Sequence, residues 1–209
     1  MSKELVIVFV KNIKLGKVKT RLAKTIGDQG AFEVYSNLVK VTEMATKDLS
    51  VDKRIYFSDA TVDTIWKNDY KTIQHGVDLG ERMKNAFKKG FEDGYERIIL
   101  IGSDLPDITA NHINKGLEAL KQNEVSFGPA EDGGYYLIGL SKMHNFVFDN
   151  KPWSKTHLLE ETLSELKENG VTFTTLVTLN DIDTYDDLIA SKFYQSNIAL
   201  QEKIKQLHD

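Results

Sequence analysis

Acidic residues that directly follow an apolar run are the first feature of this sequence that could do chemistry. In the segment RIILIGSDLPDI, a run of Ile and Leu suited to a buried strand ends at Gly102, and Ser103, Asp104 and Asp107 follow at once. Carboxylate oxygens are the ligands that Mg²⁺ and Mn²⁺ prefer, and these cations serve many phosphoryl-handling sites. Asp104 follows the strand directly and is the better candidate ligand. Asp107 precedes a helix, so it is either a second ligand or a residue that merely caps the helix or turns the chain.

The loop after the first apolar run is basic in a chain that is acidic overall. The segment KNIKLGKVKTRLAK carries five lysines and one arginine in the first fourteen residues that follow this run. Lysine offers a point charge and arginine a bidentate fork, so such a cluster suits a polyphosphate. The segment matches neither GxxxxGK[ST] nor GxGxxG, and a solvated basic turn is the plainer alternative. Its position after the first strand favours phosphate binding, and the predicted residues are Lys11, Gly16, Lys17, Lys19, Thr20 and Arg21, joined by Ser103.

A third acidic segment, GPAEDGGYYLIGL, places Glu131 and Asp132 before Gly133 and Gly134. Two glycines allow backbone amides to approach a ligand closely, but they also suit a plain tight turn into the next strand. This signal is therefore weak when it is taken alone.

Two further segments allow both a structural and a functional interpretation. In HGVDLGERMKNAF, the spacing of Asp78 and Glu81 is that of a capping box, and Arg82 follows. In LNDIDTYDDL, Thr184 with Asp187 can cap a helix while Asp181 and Asp183 face outward. If this segment returns to the carboxyl edge of the sheet, it could complete a metal site with Asp104.

The elements that must position these residues alternate between strands and helices. Continuous apolar runs, which are typical of strands covered on both faces, occur at Leu5–Val10, Arg54–Phe57, Ile98–Ile101, Val125–Phe127, Tyr135–Leu140 and Phe173–Leu179. Helical periodicity separates several of these runs, and a final amphipathic helix is predicted over Asn197–Leu207. The pattern predicts one α/β domain over residues 1–209, with a mostly parallel, mixed sheet flanked by helices. In such sheets, ligands bind outside the carboxyl ends of the strands, where Asp104 and the basic loop lie.

Composition narrows the class of protein. The 209 residues carry a formal charge of -4, which argues against nucleic acid as a partner. The chain has no cysteine, so disulfides and thiolate sites are excluded. No apolar stretch approaches the ~20 residues of a membrane span, and the N-terminal stretch is too short for a signal peptide. A cytoplasmic enzyme or binding protein, without membrane contact, is expected.

The order of these motifs, from Leu5 to about Leu188, resembles a bacterial family of glycosyltransferases. The matching segments are GKVKTRLA, DLGERM, IGSDLPDI, GPAEDGGYYLIGL, PWS and LNDIDTYDDL. This family has the nucleotide-diphospho-sugar transferase fold (GT-A, Rossmann-like), and some members are associated with arsenosugar biosynthesis. The first loop also resembles that of 2-phospho-lactate guanylyltransferase. Members commonly carry prolines before the loop glycine, where this chain has Asn12-Ile13-Lys14-Leu15, and the GxGTR loop of sugar nucleotidyltransferases is absent.

The resemblance implies a nucleotide over the first loop and Mg²⁺ or Mn²⁺ held by Asp104 and Asp183. Asp104 and Asp132 are the expected catalytic residues, and Asp132 is either a base for the acceptor hydroxyl or an acceptor-binding residue. The expected acceptor-binding residues are Glu81, Arg82, Glu131, Gly133, Gly134 and Trp153.

The first interpretation is a metal-dependent transferase that moves a glycosyl group from a nucleotide-diphospho-sugar to a small-molecule acceptor. The alternatives are a nucleotidyltransferase that releases pyrophosphate and a non-catalytic nucleotide sensor. The base, the sugar, the acceptor and the choice between monomer and homodimer stay open.

Overall fold

The computed structural model describes residues 3–207. All the strands in this range belong to one sheet. The strands are β1 Glu4–Val10, β2 Asp52–Phe57, β3 Tyr70–Ile73, β4 Arg97–Ile101, β5 Val125–Pro129, β6 Tyr135–Leu140 and β7 Phe173–Thr175. Their order across the sheet is β3-β2-β1-β4-β6-β5-β7. Strand β6 pairs antiparallel with β4 and β5, and all the other pairs are parallel. The predicted α/β fold with a mostly parallel, mixed sheet is confirmed.

The central strands are apolar at nearly every position because both faces of the sheet are covered. Side chains alternate along a strand, so Val6, Val8 and Val10 of β1 enter one core while Leu5 and Ile7 enter the other. All five are fully buried. This arrangement explains the unbroken apolar run in the sequence. In a sheet with only one buried face, polar residues would alternate with the apolar ones.

Helices cover the two faces in separate groups. They are α1 Thr20–Lys47, α2 Leu79–Glu92, α3 Ala110–Ala119, α4 Leu158–Glu168, α5 Tyr185–Ala190, α6 Lys192–Gln195 and α7 Ile198–Gln206, with a short 3₁₀ turn at Asn145–Val147. Helices α1 and α3 pack on the face of Val6, through side chains such as Tyr35 and Ile113. Helices α2 and α4 pack on the opposite face, through side chains such as Phe87 and Leu166.

A third apolar cluster joins the start of α1 to the C-terminal helices. Helix α1 is interrupted at Gly27, whose φ of 71° and ψ of 166° are not helical. The short piece before this interruption buries Leu22 and Ile26 in one cluster with Ile182, Leu200 and other residues of the C-terminal segment. The helix piece that follows the basic loop is therefore fixed against the segment that carries Asp181 and Asp183.

Two strand predictions need correction. The edge strand β3 was not predicted, because its four residues YKTI are polar or half-buried and lack an apolar run. The predicted strand at Phe173–Leu179 is wrong beyond Thr175, where the chain keeps one isolated bridge between Leu179 and Ala130 and leaves Val177 56% exposed. Within residues 3–207, no helix is both long enough and apolar enough to cross a membrane.

Candidate functional site

The ammonium of Lys19 lies among three carboxylates at the carboxyl edge of the sheet. Its Nζ is 3.0 Å from Asp104 Oδ2, 3.5 Å from Asp181 Oδ2 and 3.5 Å from Asp183 Oδ1. Asp104 follows β4, and the two other aspartates follow β7, so segments distant in sequence meet at one point. The Lys19 side chain is only 5% exposed. The structure thus brings together the predicted acids Asp104 and Asp183 and adds Asp181 to them.

Burial and charge oppose each other in this cluster. Burial alone would lower the pKa of the Lys19 ammonium, but Asp104, Asp181 and Asp183 outweigh it and raise that pKa. The Asp181 carboxyl behaves in the opposite sense, because burial raises its pKa to about 6 and Lys19 only partly offsets the rise. Asp104, Asp183 and Asp132 add to this rise through their negative charges. Lys19 is therefore charged, and it is the main partner of a crowded acidic group.

A polar cavity of about 270 Å³, also called the basic cavity because of its lysine and arginine lining, lies beside this cluster, over the start of α1. Its lining includes the predicted phosphate-binding residues Lys11, Lys19, Thr20 and Arg21, together with Asp104 and Asp183. The first turn of a helix leaves backbone N–H groups without partners inside the helix, and these N–H groups attract anions. Cations, N–H donors and carboxylates therefore line a single space that could hold a phosphate together with a cation.

The carboxylate of Asp183 is not used to cap a helix. Thr184 is the N-cap of α5, and its hydroxyl accepts a hydrogen bond from the Asp187 N–H. The carboxylate that accepts hydrogen bonds from the N–H groups of Asp183 and Thr184 belongs to Asp187, at 3.1 and 2.7 Å. Asp183 instead accepts from Arg21 Nη1 at 2.9 Å and from Lys19. Its side chain thus faces the cavity, as the functional interpretation requires.

Tyr35 of α1 connects the two loops that border the polar cavity. Its hydroxyl is 3.0 Å from the Ser103 hydroxyl, donates to the Lys11 carbonyl at 3.2 Å and accepts from the Lys11 N–H at 3.1 Å. Burial raises the pKa of Tyr35 to about 12, so the phenol stays protonated. Ser103 is buried and committed to this contact. Ser103 does not line the polar cavity; its hydroxyl contacts Tyr35, whose own hydroxyl holds the backbone of Lys11.

A second cavity, of about 360 Å³, shares Asp104 with the first and is called the apolar cavity. Its walls are mostly apolar, and its polar lining includes Asp104, Asp132, Asp181 and Lys155. The apolar wall is formed by residues from β1, β4, β6, α2, the segment before α4 and the first residue of α4, among them Phe9, Leu79, Met83, Leu100, Ile138, Trp153 and Leu158. Because Asp104 lines both cavities, a molecule in one would meet a molecule in the other at this carboxylate.

The EDGG turn places Asp132 at the edge of the apolar cavity. The Asp132 Oδ1 accepts a hydrogen bond from the Gly134 N–H at 2.9 Å, which holds the carboxylate over the turn. Gly133 has a φ of 86°, and a Cβ at this position would lie 1.8 Å from the Thr156 carbonyl oxygen. Glycine is thus required at this position, because the turn packs directly on the segment that carries Trp153.

Trp153 and Tyr135 shape the apolar cavity. The indole of Trp153 lies against the first turn of α2, where a Cβ on Gly80 would come within 2.6 Å of the ring. The Tyr135 ring packs on Phe127 with centroids 5.1 Å apart. Within residues 3–207, the hydroxyl of Tyr135 is a buried polar atom that lacks a hydrogen-bond partner. Burial raises the pKa of this phenol, so it remains a donor.

Several predicted residues lie near the cavities without lining them. Glu81 accepts from the Val77 N–H at 2.8 Å, and Arg82 donates to the Gly76 carbonyl at 3.1 Å, so both stabilise the start of α2. The residues on either side of this pair, Leu79 and Met83, do line the apolar cavity. Glu131 and Lys17 are exposed outside both cavities, and Gly16 makes the positive-φ turn of the basic loop at 71°.

Sequence reasoning missed Tyr35, Asp181 and Lys155 as lining residues. Tyr35 sits in the apolar stripe of α1, which is typical of core positions, and only its hydroxyl reaches the site. Asp181 is expected to face outward in a segment that could complete the metal site, but the ligand predicted from that segment is Asp183. The alternation of acid and Ile in DID was the available signal, since burial of Ile182 turns both acids away from the core.

The solved structures that resemble the chain include proteins described as transferases. A protein from Desulfovibrio desulfuricans G20, described as a "putative nucleotide-diphospho-sugar transferase", is 32% identical, with a TM-score of 0.83 and 99% of each chain covered. Two more distant structures share the fold alone. The inositol-1-phosphate CTP transferase from T. maritima is 16% identical, with a TM-score of 0.54 over 97% of this chain and 96% of its own. A manganese complex of Rv0371C from Mycobacterium tuberculosis H37Rv is 13% identical, with a TM-score of 0.52 over 89% of this chain and 96% of its own.

Among curated proteins, no match to the chain is found. The predicted link to arsenosugar biosynthesis and the predicted likeness to 2-phospho-lactate guanylyltransferase stay predictions. A family model matches residues 42–155, a range that includes Asp104, Asp132 and Trp153. By this match over more than half of its length, the chain belongs to the family described as "Uncharacterized protein conserved in bacteria (DUF2064)".

Proposed function

We propose that the protein is a metal-dependent transferase that moves a glycosyl group from a nucleotide-diphospho-sugar to a small-molecule hydroxyl. The observation that carries this proposal is that Asp104 lines both the basic cavity and the apolar cavity. A two-substrate transfer needs two adjoining spaces and a charged group at their boundary. The likeness to a nucleotide-diphospho-sugar transferase over 99% of the chain supports the same activity.

The basic cavity suits the diphosphate of the donor. Lys11, Lys19 and Arg21 offer charge-assisted hydrogen bonds to phosphate oxygens, and the start of α1 adds backbone N–H donors. These donors are strongest for the charge that develops on the diphosphate as its bond to the sugar breaks. Binding the leaving group in this cavity would leave the sugar at the boundary, beside Asp104.

The acidic residues fit Mg²⁺ or Mn²⁺ as a partner of this diphosphate. Asp104 and Asp183 both approach one nitrogen, Lys19 Nζ, within 3.5 Å, so their oxygens face a common point. Within residues 3–207, no group of three acid, His or Cys side chains forms a complete metal cage. That agrees with Mg²⁺, which commonly takes one or two carboxylates plus substrate phosphates. The bound cation would neutralise charge on the leaving diphosphate. A manganese complex is known for a protein of the same fold.

The apolar cavity suits the acceptor, with Asp132 as the base. In this scheme, the bond between the anomeric carbon and the diphosphate oxygen breaks, and its electron pair leaves with the nucleoside diphosphate. The acceptor oxygen bonds to the anomeric carbon, and its proton passes to Asp132. Trp153 and its apolar neighbours bind the body of the acceptor and exclude water, which would otherwise compete as the nucleophile.

Nucleotidyl transfer is the second candidate, because a CTP transferase shares this fold. In that reaction, a phosphate acceptor attacks the α-phosphate of a nucleoside triphosphate, and pyrophosphate leaves. The lining of the apolar cavity favours glycosyl transfer. A phosphate acceptor in this cavity would be repelled by the negative charges of Asp104, Asp132 and Asp181, and Lys155 would be the cation of the lining that attracts it. A neutral hydroxyl acceptor would meet no such repulsion.

The test begins with a thermal-shift screen of nucleotides and nucleotide sugars, each with and without Mn²⁺. A ligand at one hundred times its Kd stabilises the folded state by about 2.7 kcal/mol, which is roughly 5–10 °C for a chain of this size. The best donor is then incubated with candidate hydroxyl acceptors. Release of nucleoside diphosphate supports glycosyl transfer, release of pyrophosphate supports nucleotidyl transfer, and binding without turnover supports the sensor.

Asp104→Asn is the matched variant for this test. An amide is a poorer ligand for Mg²⁺ or Mn²⁺ than a carboxylate, so we expect the metal-dependent part of the thermal shift to fall and turnover to be lost. The melting temperature without ligand should change little. Full activity of Asp104→Asn at saturating metal would remove Asp104 from the site.

A further inference from the structure

Lys19 stands in the place where a bound cation would need to be. Its ammonium is within 3.5 Å of oxygens from both Asp104 and Asp183, which are the two residues that would hold Mg²⁺ or Mn²⁺. A divalent cation binds carboxylate oxygens at about 2.0–2.6 Å. The ammonium and the cation would therefore compete for the same oxygens and repel each other at short range.

The charges of the cluster make Lys19 its principal counter-ion. Three carboxylates surround the Lys19 side chain, which is 5% exposed. Arg21 also pairs with Asp183, but its side chain is 69% exposed, so water screens that pair. Without the ammonium, Asp104, Asp181 and Asp183 would face one another with little compensation.

Lys19 also has a second set of partners within reach. It lines the basic cavity beside Lys11, Thr20 and Arg21, so a phosphate bound there would lie against its side chain. Its backbone is in the left-handed region, with φ 46° and ψ 50°, at the junction between the basic loop and α1. A residue other than glycine is strained in that region, and local strain of this kind is common at sites that change state.

We propose that Lys19 is an exchangeable internal counter-ion. In the protein without ligands, its ammonium fills the place of the divalent cation. When a donor diphosphate enters the basic cavity, the ammonium turns to a phosphate oxygen, and the cation takes its place between Asp104 and Asp183. Cation and diphosphate consequently bind together, and each binds weakly alone. This inference rests on the proposed function, because it assumes the same cation and the same diphosphate.

Two properties of the site follow from this exchange. The coupling is reciprocal, so the diphosphate strengthens binding of the cation by the same factor as the cation strengthens binding of the diphosphate. Removal of the ammonium should free the carboxylates for the cation, so that binding of metal alone improves when Lys19 is replaced by a neutral side chain. A lysine that served only as a phosphate ligand would give no such gain.

The experiment titrates Mn²⁺ alone, with the free metal followed by electron paramagnetic resonance, into the wild type and into Lys19→Met. Lys24→Met is the matched control, because Lys24 is an exposed lysine near the start of α1 that lines neither cavity. We expect Lys19→Met to bind Mn²⁺ about tenfold or more tightly than the wild type, in the range of typical coupling factors, and Lys24→Met to match the wild type. Equal or weaker binding by a folded Lys19→Met protein would overturn the proposal.

A second measurement on the wild type keeps the test decisive if Lys19→Met does not fold. Mn²⁺ affinity is measured with and without pyrophosphate, which supplies the diphosphate without a choice of base, and is corrected for the complex between metal and pyrophosphate in solution. We expect about tenfold tighter Mn²⁺ binding with pyrophosphate. Tight Mn²⁺ binding that pyrophosphate does not change would refute the exchange and leave the proposed function intact. Absence of Mn²⁺ binding under every condition would refute both.

Discussion

Replacement of Asp181 by Asn should stabilise the protein in the absence of metal and ligand. The Asp181 side chain is 27% exposed and lies beside Lys19 and two other carboxylates. Burial raises its pKa from 3.8 to about 6. The ionised form is thus disfavoured in the folded state relative to the unfolded chain, and Asn keeps the shape of the carboxyl without its charge.

The size of this effect follows from the shift of the pKa. One pKa unit corresponds to 1.36 kcal/mol, so ionised Asp181 lowers the free energy of unfolding by about 3 kcal/mol at pH 7.5. The folded state binds a proton more tightly than the unfolded state does. This cost is consequently complete above pH 6, shrinks as the pH falls from about 6, and is nearly absent below pH 4. Asp181→Asn should therefore gain about 3 kcal/mol at pH 7.5, about half of that at pH 5, and almost nothing at pH 3.5.

The assay is urea denaturation with EDTA present, followed by the fluorescence of Trp66 and Trp153, at several pH values. Asp63→Asn is the control, since Asp63 is an exposed carboxylate that lines neither cavity. In thermal unfolding of a chain of this size, the same 3 kcal/mol corresponds to a difference of roughly 6–12 °C in melting temperature. A variant that is no more stable than the wild type at pH 7.5, or a gain that does not shrink toward pH 4, would refute the electrostatic reasoning.

Three further predictions concern the two cavities. Asp183→Asn should keep the melting temperature, because Thr184 and Asp187 form the capping box of α5, and lose activity by orders of magnitude, because the proposed metal ligand loses its charge; a fully active variant would point to Asp181 as the second ligand. Arg21→Ala should weaken the binding of nucleoside diphosphates by about 1–2 kcal/mol in calorimetry and leave the binding of free nucleosides unchanged, since only the diphosphate offers oxyanions; an equal loss of affinity for both ligands would make Arg21 structural. Tyr135→Phe should leave the ligand-free protein as stable or about 1 kcal/mol more stable in urea, because the buried hydroxyl forms no hydrogen bond to the described residues; a marked loss would reveal a partner such as bound water.

The parts of the fold that the sequence predicts are those with strong periodicity. The unbroken apolar runs of β1 and β4 reflect cores on both faces, so their identity as central strands could be read directly. The edge strand β3 has no such signal, because its partner lies on one side only and its side chains are half-buried. The end of β7 was overestimated for a related reason, since Leu176 and Leu179 pack on the core without continuing the strand.

The candidate site was predictable to the extent that it follows the rule for strand ends. Asp104 and the basic loop come directly after strands, and the structure brings both to one edge of the sheet. The contact between Lys19 and Asp104 spans 85 residues, and no local pattern predicts that this lysine, rather than Lys17, is the buried one. The local role of Glu81 was visible from its capping spacing, and the structure shows its carboxylate on the Val77 N–H.

The burial of Ile182 has a consequence for how the two cavities can respond to each other. Its side chain is 1% exposed in the cluster that includes Leu22, and the aspartates on either side of it enter different cavities. The carboxylates of Asp181 and Asp183 both lie 3.5 Å from Lys19 Nζ, so they share one counter-ion although they line different cavities. A molecule that draws Lys19 or Asp183 into the basic cavity would therefore change the charge around Asp181 in the apolar one. Filling of one cavity could alter the other through this shared counter-ion, without any movement of the sheet.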